Sequence, residues 1–500
     1  MPLHPKGTDP LIQLPEVLAI GFTGHRSLPD EAGSRQAIRN FLARQKESHQ
    51  GIVYGVSSAA SGGDQIFAES CIELGIPIRI LLPRPAPQFR SDFDEASWQR
   101  TQRILNAAIS VETVTGSEDQ NEQYYDCGVR TVSDCQLLIA LWNGLPSRGA
   151  GGTEEMIDYA RKIGYPVAWI HSQTGALEWF NQYARARSES NAELEFLNLL
   201  PDAGAATASG NSRELAHAWF CKIDENADRF APQARRLASV PIIYTAIAAV
   251  VSGVAPEIPN AAPWLFISAG LGVVALGLPA VLSLHLRQAR WARTRTAAEI
   301  ARSFLAVWCT PQPYNVIGEE TAPWLAAILR SLNFLKIHDQ GRSQVPLAEF
   351  KKEYHRDRVL DQMEYFANQS ARAEKQEKRY STLGWACGIL ATLVALGCFS
   401  GGLAWLVRHG FSGRLWIAAI MSTLFETATM AGAFAAMKDC ARRRRRYREL
   451  SRALGYWGKQ LEALNTWNSV LEVVGEIERV LLVELFEWRS LVLGAGTHNH

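Results

Sequence analysis

Short apolar runs alternate with amphipathic stretches over residues 15–172, and much longer apolar runs follow beyond residue 239. The short runs, 17–22, 52–56, 78–82, 110–114, 137–142 and 166–170, have strand length and are bounded by turn residues, so they predict strands. Between them, 64–74, 93–108, 124–135 and 154–163 space their apolar residues for helices. Strand and helix in alternation predict an α/β fold class, a doubly wound, Rossmann-like parallel sheet.

The long runs are 240–259, 262–286, 380–407 and 415–437. A helix crosses a bilayer in about 20 residues, so these predict an all-α membrane domain of two transmembrane hairpins. The second hairpin turns at Arg408-His409-Gly410. Residues 173–212 read as a connector ending in a small-residue linker, 213–309 as a first two-span unit, 310–349 as a cytoplasmic connector, and 350–493 as a second two-span unit. Stripes through Tyr354, Val359, Met363 and Phe366, and through Leu450, Leu454, Trp457 and Leu461, predict long helices that pack in a bundle or a homo-oligomer.

Charge gives the spans a direction. Arg229, Arg235 and Arg236 precede the first run and Arg287, Arg290, Arg293 and Arg295 follow the second. Arg372, Lys375, Lys378 and Arg379 precede the third, and Lys438 with the arginine run 442–446 follows the fourth. The hairpin tips hold only Arg408 and Arg414. The positive-inside rule therefore sets both termini and every long segment in the cytoplasm, with no apolar leader near residue 1 to carry the chain across. The expected arrangement is a multi-pass membrane protein. A formal net charge of only +1 gives no overall attraction to nucleic acid, so the partner expected of the arginine run is the lipid bilayer. The eight cysteines lack metal-ligand spacing, and neither a disulfide framework, a metal nor a cofactor is expected.

Within the fourth run Ser422, Glu426 and Thr429 share a helix face, a polar stripe that either lines a pore or bonds a neighbouring helix. Gly384/Gly388 and Gly397/Gly401 suit close helix packing in the third.

Candidate chemistry sits in three glycine turns of the α/β region. Thr23-Gly24-His25-Arg26 follows the first strand, Ser57-Ser58 through Gly62-Gly63-Asp64 the second, and Gly151-Gly152-Thr153-Glu154-Glu155 the fifth. All fall at strand carboxyl ends, the edge where open α/β sheets hold ligands. Glycines let backbone N–H groups approach a ligand, and helix starts favour an anion. Arg26 offers a fork to phosphate, while Asp64 or Glu154 can accept from ribose hydroxyls. His25 alone reads as structural.

These turns resemble the signature turns of the SLOG superfamily, which joins DNA-processing protein A, LONELY GUY phosphoribohydrolases and nucleotide sensors of bacterial conflict systems. Tyr354, Arg358, Gln362 and Tyr365, leading into a hairpin and a long terminal helix, resemble the SLATT two-span effectors. The resemblance implies a membrane effector that senses a nucleotide-derived second messenger and responds by oligomerising and forming a pore in antiphage defence. The alternative it leaves open is a membrane-tethered nucleotide or NAD N-glycosidase with Glu155 in the catalytic position. There the Pro-Gly-Gly-x-Gly-Thr-x-Glu-Glu turn of the phosphoribohydrolases is altered, since Arg148-Gly149-Ala150 replaces its proline and one glycine step.

Overall fold

The computed structural model describes residues 12–114, 119–146, 151–181, 188–202, 211–258, 260–281, 284–311, 322–339, 345–398 and 413–493. The chain forms two compact units, Met1–Lys222 with Trp308–Gln344, and Ile223–Val307 with Val345–His500. The turn predicted at residues 408–410, Arg148 and most of the linker 203–212 lie outside the described residues.

In the first unit the strands are β1 (Val17–Gly24), β2 (Ile52–Ser57), β3 (Ile78–Leu82), β4 (Ser110–Thr113), β5 (Leu137–Trp142), β6 (Val167–His171) and β7 (Leu177–Phe180). Their order is β4-β3-β2-β1-β5-β6-β7, so the direction of winding reverses between β1 and β5. Every pair is parallel except β6–β7. Central strands read as unbroken apolar runs because both faces are covered, and all of Ile78–Leu82 is buried.

Helices α1 (Glu31–Ser48), α2 (Gly63–Glu73), α3 (Ala86–Phe89), α4 (Glu95–Ala107), α5 (Gln120–Ser133) and α6 (Thr153–Lys162) connect the strands. Polar caps start three of them: Asp30 accepts from Gly33 N–H, Asp94 from Ser97 N–H and Asp119 from Glu122 N–H. On one face Leu18, Ile20 and Phe22 meet Ile38, Phe41 and Leu42 of α1 and Ile66 and Phe67 of α2, with Phe22 stacked on Phe67 at 4.8 Å. Side chains alternate along β1, so Gly21 faces the other way, where an added Cβ would lie 2.7 Å from Cys135 Sγ just past α5.

Two elements extend this unit beyond the alternating pattern. The edge strand β7 turns back on β6, with Phe180 stacked on Trp169 at 5.7 Å. Helix α11 (Ala326–Asp339), from the stretch read as a connector, packs on the sheet through Phe334, 5.3 Å from Tyr54, and through Ser331, which donates to Pro15 O. Helix α7 (Ser188–Asn198) is tied by Asn198, whose Oδ1 accepts from Leu14 N–H at 3.0 Å.

The chain leaves the first unit along α8 (Ser212–Val254), followed by α9 (Ala261–Val281) and α10 (Leu284–Ala306). After α11 come α12 (Leu347–Tyr354), a π-helical turn His355–Leu360, α13 (Asp361–Gly397), α14 (Gly413–Met437), α15 (Cys440–Ala463) and α16 (Trp467–Leu493). Among the described residues three helices are long and apolar enough to cross a membrane: Ser212–Glu257, Leu347–Gly397 and Leu415–Ala463. Of the second predicted run the described apolar part, Ala261–Gly277, is shorter. Almost nothing in the three apolar stretches is buried, and Trp385 and Phe425 are exposed.

Helices α13 and α14–α15 run antiparallel, since partners descend one as they ascend the other. Tyr380 stacks with Phe434 at 6.3 Å, Ser370 Oγ donates to Arg444 O at 2.9 Å, and Ser451 Oγ donates to Met363 O at 3.3 Å. Of the predicted glycine pairs, Gly384 faces Ala428 O while Gly388 meets open space, and Gly401 lies outside the described residues. The arginine run is engaged in ion pairs with acidic side chains: Arg446 with Glu484 and Glu487, Arg444 with Glu377 at 3.3 Å, and Arg445 with Glu449 at 3.0 Å. Surface pairs of this kind add little individually, but they orient the run along α13 and α16.

Candidate functional site

Six parallel strands point their carboxyl ends to one edge of the sheet, and the three predicted turns converge there. The turns after β1 and β2 touch through their backbones. Gly63 N–H donates to His25 O at 3.0 Å, and a Cβ on Gly62 would fall 2.2 Å from Arg26 O. Gly62 also holds a φ of +86, so both sterics and conformation call for glycine. His25 ties in the third turn region, its Nε2 accepting from Asn143 N–H at 3.1 Å beyond β5. That bond gives His25 a positioning role.

The β2 turn folds around a buried carboxylate. Asp64, in the first turn of α2, accepts from Ser57 Oγ at 3.0 Å and Ser58 Oγ at 3.1 Å. Burial pushes the Asp64 carboxyl up to about 6, against the lowering effect of both serine bonds and of the Arg26 charge. Ala59 takes a left-handed φ of +55 beside it, and its carbonyl accepts from Thr101 Oγ1 at 3.0 Å. An αL alanine and a buried acid together mark a costly local arrangement, of the kind that functional sites hold.

The third turn opens α6. Gly151 has a φ of +72 and lies so close to α5 that a Cβ would meet the Tyr124 backbone at 2.7 Å. Gly152 precedes α6, Thr153 is buried as its first residue and Glu154 is half-buried. Glu155 reaches back to accept from Gly151 N–H at 2.7 Å, so it braces its own turn. Thr23, half-buried at the end of β1, pairs in register with Ala140 of β5.

Beside these turns stands a group the sequence reading missed. Arg84, just past β3, gives hydrogen bonds to Asp92 and, at 3.0 Å, to the Tyr124 hydroxyl. Tyr124 in turn donates to Asp92. Arg26 approaches Asp92 at 3.7 Å and lies over the Tyr124 ring at 5.3 Å, with Arg84 5.6 Å from the same ring. Two guanidiniums thus share one carboxylate, and the Arg26 side chain stays 56% exposed. Burial, and then the bond to Asp92, raise the Tyr124 pKa, so its hydroxyl remains a donor. The available signal was position: Arg84 follows a strand at the same edge as the glycine turns.

The stripe predicted in the fourth run divides. A Cβ on Gly253 of α8 would fall 2.1 Å from Ser422 Oγ, which puts Ser422 in a helix contact. Glu426 is half-buried, whereas Thr429 is exposed and donates back to Phe425 O at 3.0 Å. Of the residues quoted for the two-span resemblance, Tyr354 and Arg358 are buried, and Tyr365 is exposed. No cluster of His, Cys, Asp or Glu suited to a metal occurs among the described residues. No protein-family model matches the chain, and no curated protein matches it in sequence.

Proposed function

We propose that the chain is a membrane protein whose α/β unit binds a nucleotide-derived small molecule and whose apolar helices form an oligomeric, membrane-breaching assembly. The observation that carries this reading is the convergence of Thr23–Gly24–His25–Arg26, Ser58, Gly62–Gly63–Asp64 and Gly151–Gly152–Thr153–Glu154 at one sheet edge, beside two arginines that share a single carboxylate. Close-approach glycines, helix starts and two neighbouring guanidiniums suit phosphate, and the buried Asp64 suits a sugar hydroxyl.

Exposed apolar stretches support the membrane half of the proposal, because large unpartnered apolar surfaces belong against lipid or another copy of the chain. An open groove along α13 is lined by Glu374, Lys375, Lys378 and Arg379 and then by Thr382, Leu383 and Ala386. Lys378 pairs with Glu374, and the cationic surplus beside apolar groups supports an interface with anionic lipid. Two hairpins with cytoplasmic termini in a bacterial inner membrane, and a role in antiphage defence, extend the same reading. The N-glycosidase alternative ranks lower, because the glutamate it needs is held by Gly151 N–H.

The test is functional. Expressed with its messenger, the protein is expected to collapse the membrane potential, and Gly62→Trp or Gly152→Trp to abolish the collapse without loss of membrane insertion. Undiminished toxicity from both blocked variants would refute the sensor role. Turnover of nucleotides by the purified chain would favour the enzyme.

A further inference from the structure

Asp92 stands where a ligand's charge is wanted. It takes hydrogen bonds from Arg84 and Tyr124 and faces Arg26, the three groups best able to hold a phosphate at this edge. Its backbone is pinned on both sides: Phe89 and Phe93 are buried and pack edge-to-face at 4.9 Å, bracketing the short helical turn Arg90–Asp92. A carboxylate fixed in this way competes at high local concentration with any anion from solution.

The contacts are unequal, which gives an entering anion its route. Arg84 and Asp92 are both nearly buried, at 12% and 11% side-chain exposure, whereas Arg26 is open and sits at 3.7 Å, beyond hydrogen-bonding range. An anion can therefore engage Arg26 first and then contest Arg84. A single carboxylate offers nothing that Asp92 does not already supply. A phosphate dianion or a diphosphate brings more charge and more acceptor oxygens, enough to bridge both guanidiniums in charge-assisted bonds.

We infer that Asp92 is a built-in competitor for the anion seat formed by Arg26, Arg84 and Tyr124, setting a threshold that admits phosphate- or diphosphate-bearing ligands and turns away monocarboxylates. This inference rests on reading the edge as an anion site, and the test separates the two. Inorganic pyrophosphate is titrated calorimetrically into the full-length protein in mild detergent. Asp92→Asn is expected to bind about tenfold more tightly than the wild type, the effect of releasing one charge-assisted contact, and Arg84→Ala to lose binding. Asp92→Asn binding no more tightly, while Arg84→Ala still loses binding, overturns the competitor and leaves the anion site standing. Absence of pyrophosphate binding in both wild type and Asp92→Asn overturns both.

A second measurement needs no variant to fold. Carbodiimide labelling of wild-type carboxyls, read by mass spectrometry, should show Asp92 more reactive when pyrophosphate is present, because displacement frees it from its donors. Unchanged or reduced labelling of Asp92 at saturating pyrophosphate would contradict displacement.

Discussion

Two arginine centres in this molecule share a plan, a carboxylate that accepts from an arginine and a tyrosine hydroxyl, and differ in what surrounds it. In the helical unit Arg358, on the π-helical turn, donates to Glu478 through Nε at 2.9 Å and Nη2 at 2.6 Å. Tyr354 and Ser303 complete that carboxylate at 2.7 and 2.6 Å, and Arg358 and Glu478 are buried. Each oxygen of Glu478 takes one bond from the guanidinium and one from a hydroxyl, while Glu299 lies within electrostatic reach of the same arginine. At the sheet edge Arg26 and Arg84 divide one carboxylate, and one of them is open to solvent. A buried, bidentate pair between helices specifies packing, whereas a half-open set with an exposed guanidinium is what the proposed anion seat calls for.

The sharpest way to break this contrast is to remove the arginine of the helical centre. Arg358→Met leaves Glu478 buried without its ion partner and is expected to cost about 3–5 kcal/mol, read as loss of cooperative thermal unfolding in detergent. Arg358→Met with Glu478→Leu should recover part of that stability, since Tyr354 and Ser303 then lose their acceptor. If the single change were harmless, Arg358 would not be holding α16 (Trp467–Leu493) to the π-helical turn.

The next effect is electrostatic and belongs to the α/β unit. Asp64 keeps its proton to about pH 6 in the folded protein, against 3.8 as the ordinary value. The native state therefore binds more protons than the unfolded chain between these values. Its contribution is largest below pH 4 and falls by on the order of 2–3 kcal/mol as pH rises past 6. Asp64→Asn should flatten that part of the stability-versus-pH curve, measured by denaturant unfolding at each pH. A curve unchanged by Asp64→Asn would show that the carboxyl is not strained.

Much of this arrangement was legible in the chain. The central parallel strands showed as short apolar runs because both their faces are buried, while β4 is covered only in part, and the glycine turns showed as composition. Strand β7 did not, since Leu177 and Glu178 at this edge are exposed and carry no strong pattern. Helix α11 was hidden for the opposite reason. Its polar residues Ser331, Lys336 and Asp339 are buried along with the apolar ones, so polarity does not track exposure and the helical period is blurred. Arg84, Asp92 and Tyr124 come from three separate segments, and only the fold brings them together. Glu478 is one of five glutamates in its helix, and nothing in the sequence marks it as the buried one.

The smallest effect sharpens the edge itself. Glu155→Gln keeps an acceptor for Gly151 N–H but removes its charge, and is expected to cost about 1 kcal/mol or less, seen as a small shift in the denaturant midpoint. Loss of an activity with stability intact would instead restore Glu155 to a catalytic role.

The central claim is that the sheet edge holds a phosphate-bearing small molecule, and the most direct measurement is mass spectrometry of what the purified full-length protein carries. Wild-type protein taken from cells that make the messenger should release a phosphorylated nucleotide derivative in near-stoichiometric amount, and Arg84→Ala should release none. Equal recovery of the same compound from both proteins, or a bound compound without an anionic group, would contradict the account.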